Sequence, residues 1–234
     1  PFFLAVGFVR PHVPLVAPAS DFALYDPAQL PLAQSVPGDL ADIPAAGIFW
    51  NEGVRGPNSD PDRREVLRAY YASVSFMDRQ LGRLLDRLEQ LGLEDDTIVV
   101  FTSDHGYHLG EHGEWEKKSN FDLVVRVPLV IKPPRGAFPR MPARTTALFE
   151  LVDIFPTVAA LAGLPGPDVD GDDQSALFRG EAVSKSAVYA QYPACGAGSV
   201  NESRVECNSV PREDFDFMGG RRCELSTGVL DGRR

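Results

Sequence analysis

Thr97-Ile98-Val99-Val100-Phe101-Thr102-Ser103-Asp104-His105-Gly106-Tyr107-His108-Leu109-Gly110-Glu111-His112-Gly113-Glu114-Trp115-Glu116-Lys117 changes character at its sixth residue. Residues 97–102 are β-branched or aromatic and predict a buried strand. The residues that follow are polar, glycine-punctuated and rich in metal- and anion-binding side chains. In an open α/β sheet, ligands gather outside the carboxyl ends of the strands. Chain order alone therefore sets Asp104 and His105 at such an edge.

Asp104 offers carboxylate oxygens and His105 a ring nitrogen, both metal donors, and Gly106 permits a close approach. A capping Asp beside a partly buried His is the bland alternative. Three histidines within eight positions, three glycines and a downstream lysine weigh against it. Lys117, one of four lysines, suits anionic oxygens as a compact charge. A solvated surface lysine is the plainer reading, and it suits Lys118 better. Trp115 reads equally as a packing anchor or as a wall of a substrate pocket.

Working outward, Ser59-Asp60-Pro61 announces a helix, with Ser59 or Asp60 capping and Pro61 in the first turn. Val66, Tyr70, Val74, Met77, Leu81, Leu84, Leu88 and Leu91 form one apolar face over 61–91, and Gly92 ends it. Helix then strand is the crossover half of a βαβ unit, which predicts a parallel sheet at 97–102. Phe2-Phe3-Leu4-Ala5-Val6 reads as another buried strand, and its abrupt opening suggests that a preceding part of the sheet is missing. His12, in Arg10-Pro11-His12-Val13-Pro14, then falls at the same carboxyl edge as Asp104. A histidine there can give a proton to a leaving group, and packing between prolines explains it equally well. Residues 10–62 read as a long irregular connection, Val127–Ile131 as a strand, and Ile154–Ala162 as a helix capped by Asp153 and closed by Gly163.

The formal charge of −10 argues against nonspecific nucleic-acid binding, which needs clustered cations. No apolar run approaches the ~20 residues that span a bilayer. Cys195, Cys207 and Cys223 form no C-x-x-C pair, which disfavours a zinc site. Cys195–Cys207 is a conceivable disulfide in a secreted protein, and Asn201-Glu202-Ser203 is a glycosylation triplet. The compartment stays open, with secreted, periplasmic or lysosome-like settings all compatible.

Thr102-Ser103-Asp104-His105-Gly106, Leu109-Gly110-Glu111-His112-Gly113, Trp115 and Lys117 together resemble the second signature of the type I sulfatases, within the alkaline phosphatase superfamily. The Asp-His pair is similar to the iduronate 2-sulfatase group. So are the opening through Pro14, Tyr71-Ala72-Ser73-Val74 with Asp78, Asn120-Phe121 with Arg126-Val127-Pro128-Leu129, Leu151-Val152 with Phe155-Pro156-Thr157, and Gln191-Tyr192-Pro193. Met218-Gly219-Gly220-Arg221 resembles the start of a late strand, but the residues after it do not continue the pattern.

The resemblance implies an α/β fold, part of an alkaline-phosphatase-like sandwich with a mostly parallel central sheet flanked by helices, its N-terminal part missing. Residues 1–192 are then the C-terminal portion of the sulfatase domain, and 193–234 the start of a small C-terminal subdomain. It implies a sulfuric ester hydrolase acting on sulfated sugars. Asp104 and His105 supply two ligands of a calcium ion, Lys117 and His12 contact the sulfate and the bridging oxygen, and His108, His112 and Trp115 are substrate-pocket candidates. Calcium prefers oxygen ligands, so His105 is an unusual partner. The family's C-x-[PSA]-x-R motif, which supplies the formylglycine nucleophile, is absent from these residues, as is its aspartate pair. The isolated chain is therefore expected to be inactive. A phosphodiesterase or phosphonate hydrolase of the same superfamily is one rival, and a non-catalytic binding or structural protein on the same scaffold is another.

Overall fold

The computed structural model describes residues 1–34, 36–43, 56–117, 119–194 and 224–230. Lys118, the three cysteines, the Asn201 triplet and Met218–Arg221 lie outside the described residues. The chain forms two interleaved compact units. One comprises residues 1–37, 51–95 and 108–116, and the other 38–50, 96–107 and 117–234.

The first unit is organised by one long helix. Short helix α1 (Ala19–Phe22) and a 3-10 turn at Pro27–Gln29 pack against α2 (Asp60–Gln90). Ser59 caps α2, its hydroxyl accepting from the Asp62 N–H at 3.3 Å, and Pro61 occupies the first turn. Gly92, at φ 66°, turns the chain out through the left-handed region, which glycine enters without a Cβ clash.

The residues α2 buries most deeply are Leu67, Ala72 and Ser73. The expected stripe from Val66 to Leu88 is only half-buried, and Leu91 is exposed. Arginines on α2 reach across to the 19–30 segment. Arg64 donates to the Leu30 carbonyl, and Arg68 to the Phe22 carbonyl at 3.1 Å. Arg79 forks onto the fully buried Asp21, with one arm at 2.7 Å. Tyr25 meets Ser75 at 2.6 Å. The unit also holds a hairpin of β2 (His108–Leu109) and β3 (Trp115–Glu116).

The second unit contains β1 (Val99–Thr102), α3 (Asp122–Val125), β4 (Leu129–Lys132), α4 (Ile154–Leu161), β5 (Val188–Ala194) and β6 (Glu224–Leu230). The strand pair that the structure describes at β1 is not a parallel one. β1 pairs antiparallel with β4, Val99 opposite Lys132 and Thr102 opposite Leu129. Among the described residues between the two strands, the one α-helix is the four-residue α3, and no long crossover helix joins them. Residues 2–6, expected as a buried strand, carry no ladder among the described residues, and Phe3 is 91% exposed. The poorly patterned tail contributes β6, paired antiparallel with β5.

α4 ends as expected at Gly163, φ 69°. Its start differs. Asp153 is not the cap of α4 but closes a preceding 3-10 turn (Leu151–Asp153), in a reciprocal box with Glu150. The Asp153 carboxylate is fully buried and receives the Lys185 ammonium at 2.7 and 2.9 Å, the Asp172 N–H at 2.8 Å and the Glu150 N–H at 2.9 Å. Lys185 also donates to Glu150 at 2.6 Å. Burial pushes the Asp153 carboxyl up, but the Lys185 ammonium and the two N–H groups more than reverse this, leaving it below the usual range. Removing the ammonium strands a buried charge. Lys185→Met is expected to cost about 3 kcal/mol or more in urea unfolding. A loss under about 1 kcal/mol would show that the network is not what holds α4 in place.

Candidate active site

β1 ends at Thr102, and the next five residues form a tightly pinned loop. Gly106 N–H donates to the Val124 carbonyl at 2.7 Å and Tyr107 N–H to the Leu123 carbonyl at 3.1 Å. These bonds lay the loop on α3, whose Val124 is buried. A Cβ at position 106 would overlap the Leu123 carbonyl oxygen, so glycine is a steric requirement there. The Ser103 hydroxyl donates to the His105 carbonyl at 2.9 Å, and His105 N–H donates to Asp104 Oδ1 at 3.1 Å.

The pinned loop presents two donor atoms side by side. His105 Nδ1 lies 2.7 Å from the Gly106 carbonyl. A carbonyl oxygen only accepts, so Nδ1 carries a proton, and in the neutral ring the lone pair then sits on Nε2. That Nε2 is 3.7 Å from Asp104 Oδ2, and the Asp104 side chain is 85% exposed. Two adjacent ligands each roughly 2.4 Å from one divalent cation stand about this far apart. The donor pair therefore fits a cation held at its open side, with the imidazole tautomer already set for it. Among the described residues, no group of three or more His, Cys, Asp and Glu side chains is arranged to hold a metal by itself. Lys117, in the same unit, is half-buried and meets no acidic partner among the described residues.

The remaining candidates lie in the other unit. His108 is fully buried on β2, with Nε2 3.8 Å from Glu114 Oε2 and its ring 5.9 Å from that of His112, edge to face. Glu111 accepts from the Leu109 N–H at 2.7 Å and closes the turn between β2 and β3. Gly110 and Gly113 adopt positive φ, and so do the non-glycine residues His112 (57°) and Glu116 (70°). Two such residues in one short hairpin store backbone strain, a feature that clusters at functional sites. Trp115 packs its indole against Gly56 and Gly110. His12 is exposed in the 10–16 turn, its Nδ1 2.7 Å from the Val13 carbonyl.

Residues 1–164 match the family model named Sulfatase. This chain belongs to the sulfatase family. It is 40% identical to the human iduronate 2-sulfatase and 39% identical to the mouse enzyme, over 71% of this chain and 37% of each of those proteins. The sulfatase-family chain thus spans little more than a third of the length of these relatives. Among solved structures, a phosphonate monoester hydrolase from Silicibacter pomeroyi superposes with a TM-score of 0.67 and 28% identity, over 86% of this chain and 42% of that one. The fold is accordingly the alkaline-phosphatase-like one of the sulfatases.

Sequence reasoning found the Asp104–His105 pair but not what holds it. The bonds from Gly106 and Tyr107 to α3 are backbone contacts across some 17 residues, and only the glycine hinted at them. Arg10, quoted as part of the resemblance, proves to grip the His12 turn.

Burial pushes the His108 imidazole down to about 4; Glu111 opposes this in part and His112 adds to it. The unfolded imidazole titrates near 6.5, so between pH 6.5 and 4 the unfolded state binds more protons. The stability His108 confers is complete above about pH 6.5 and is lost as pH falls toward 4, by at most about 1.4 kcal/mol per unit. Denaturant unfolding across that range should show this slope, and His108→Gln should flatten it. An unchanged slope in the variant contradicts the assignment.

Proposed function

We propose that the gene product carrying this chain hydrolyses sulfuric esters of sugars, as an iduronate 2-sulfatase-like enzyme. The observation that carries the reading is the paired presentation of Asp104 Oδ2 and His105 Nε2, 3.7 Å apart, on a glycine-pinned loop of a sulfatase-family chain. In this reading Asp104 and His105 hold a calcium ion, with further ligands from residues outside this chain. Bound calcium would polarise the sulfate oxygens, and a formylglycine outside these residues would supply the attacking oxygen.

The chain's own residues do the rest. Lys117 brings a compact positive charge to the sulfate and stabilises the negative charge that grows on it as the ester bond breaks. His12 serves the bridging oxygen. Its Nδ1–H is committed to the Val13 carbonyl, so only Nε2 exchanges protons with substrate. The imidazolium gives up the Nε2 proton as the sulfur–oxygen bond breaks, which spares the sugar from leaving as an alkoxide. His108 and His112 shape the pocket side of the hairpin. The domain division at 192/193 and a mostly parallel central sheet belong to the same reading, the antiparallel β1–β4 pair being a local exception.

Phosphonate ester hydrolysis is the second reading. It is favoured by the superposition on phosphonate monoester hydrolases, with TM-scores of 0.67 and 0.66. Assay of the gene product against sulfate and phosphonate esters separates the two. Sulfate ester turnover is expected, falling about 100-fold or more in Asp104→Ala. Turnover of phosphonates alone overturns the proposal. The 234-residue chain by itself should show no turnover, since no residue in it can be assigned as the nucleophile.

A further inference from the structure

We propose that Arg10 is the positioning residue for His12. The inference rests on the proton-transfer role of His12 given above. The 10–16 turn is poor in backbone donors, because Pro11 and Pro14 have no N–H. Its carbonyls need partners from elsewhere. The half-buried Arg10 side chain supplies them, Nε donating to the Val16 carbonyl at 3.0 Å and Nη1 to the His12 carbonyl at 3.0 Å. One planar guanidinium thus ties the Val16 end of the loop to the carbonyl of the residue that carries the imidazole. Among the described residues it meets no carboxylate, so its work here is geometric.

The result is a histidine tied at every polar group but one. Its N–H donates to the Val9 carbonyl at 2.9 Å, its carbonyl accepts from Arg10, and its Nδ1–H donates to the Val13 carbonyl at 2.7 Å. Nε2 alone is left without a partner among the described residues. With the backbone and one ring nitrogen held, the ring has a single functional atom in a set direction. Proton transfer is steeply sensitive to such placement. Releasing the turn leaves the imidazole chemically intact but lets Nε2 wander.

The test is a double-mutant cycle on the active gene product, with Arg10→Met, His12→Ala and the pair, reading kcat and KM separately. Arg10→Met keeps the aliphatic stem and removes both donors. It is expected to lower kcat about tenfold, leave KM within about threefold, and add nothing in the His12→Ala background. Circular dichroism checks folding. If Arg10→Met unfolds, Arg10→Lys replaces it and is expected to lose about threefold in kcat, a single ammonium gripping the two carbonyls less well. Wild-type kcat in the folded Arg10 variant overturns the proposal, and so does a full independent loss on top of His12→Ala. A His12→Ala enzyme with unchanged kcat instead overturns the role of His12 itself, and the inference falls with it.

Discussion

The hydrogen bond from Gly106 to Val124, 2.7 Å long and possible only without a Cβ, is the contact on which the site depends. It stops β1 from running on, lays the loop on the buried side of α3, and turns the Gly106 carbonyl into the acceptor that sets the His105 tautomer. The Asp104 carboxylate is exposed and is steadied through Oδ1, which accepts from the His105 N–H. A flexible loop would present the same two donors at the cost of ordering them for each ligand, roughly 1–2 kcal/mol per residue of backbone. Glycine at one position transfers that cost to folding.

The two candidate histidines share a device. Each donates its Nδ1 proton to the carbonyl of the following residue, at 2.7 Å in both cases. Each therefore offers Nε2 and nothing else. In His105 that atom is a lone pair beside a carboxylate, suited to a cation. In His12 it stands without a carboxylate partner among the described residues. In the proposed reading the same local geometry serves two different tasks, a cation at His105 and a proton at His12. His108, buried and pushed down to about 4, is the contrast: its environment favours a neutral ring that shapes a hairpin.

Much of this was readable from residue order, and the failures have identifiable causes. Helix α2 and its exit at Gly92 followed from periodicity and a cap, because both signals are local. The strand end at Thr102, with Asp104 and His105 in the loop after it, followed from the β-branched run. The pairing direction of β1 did not follow, because apolar pattern says that a strand is buried but not which neighbour it meets. Asp153 was read as a cap for α4, whereas its partner Lys185 lies 32 residues further on. Charge networks between distant segments leave no periodic trace. For the same reason the arginines that clasp the 19–30 segment onto α2 were invisible.

A crystal structure of the gene product soaked with calcium and sulfate tests the central claim most directly. It should show one cation with an Asp104 oxygen and His105 Nε2 at about 2.3–2.6 Å, and a sulfate beside it reached by the Lys117 amine and by His12 Nε2. A cation bound without either Asp104 or His105, or a sulfate site remote from both Lys117 and His12, would contradict the account.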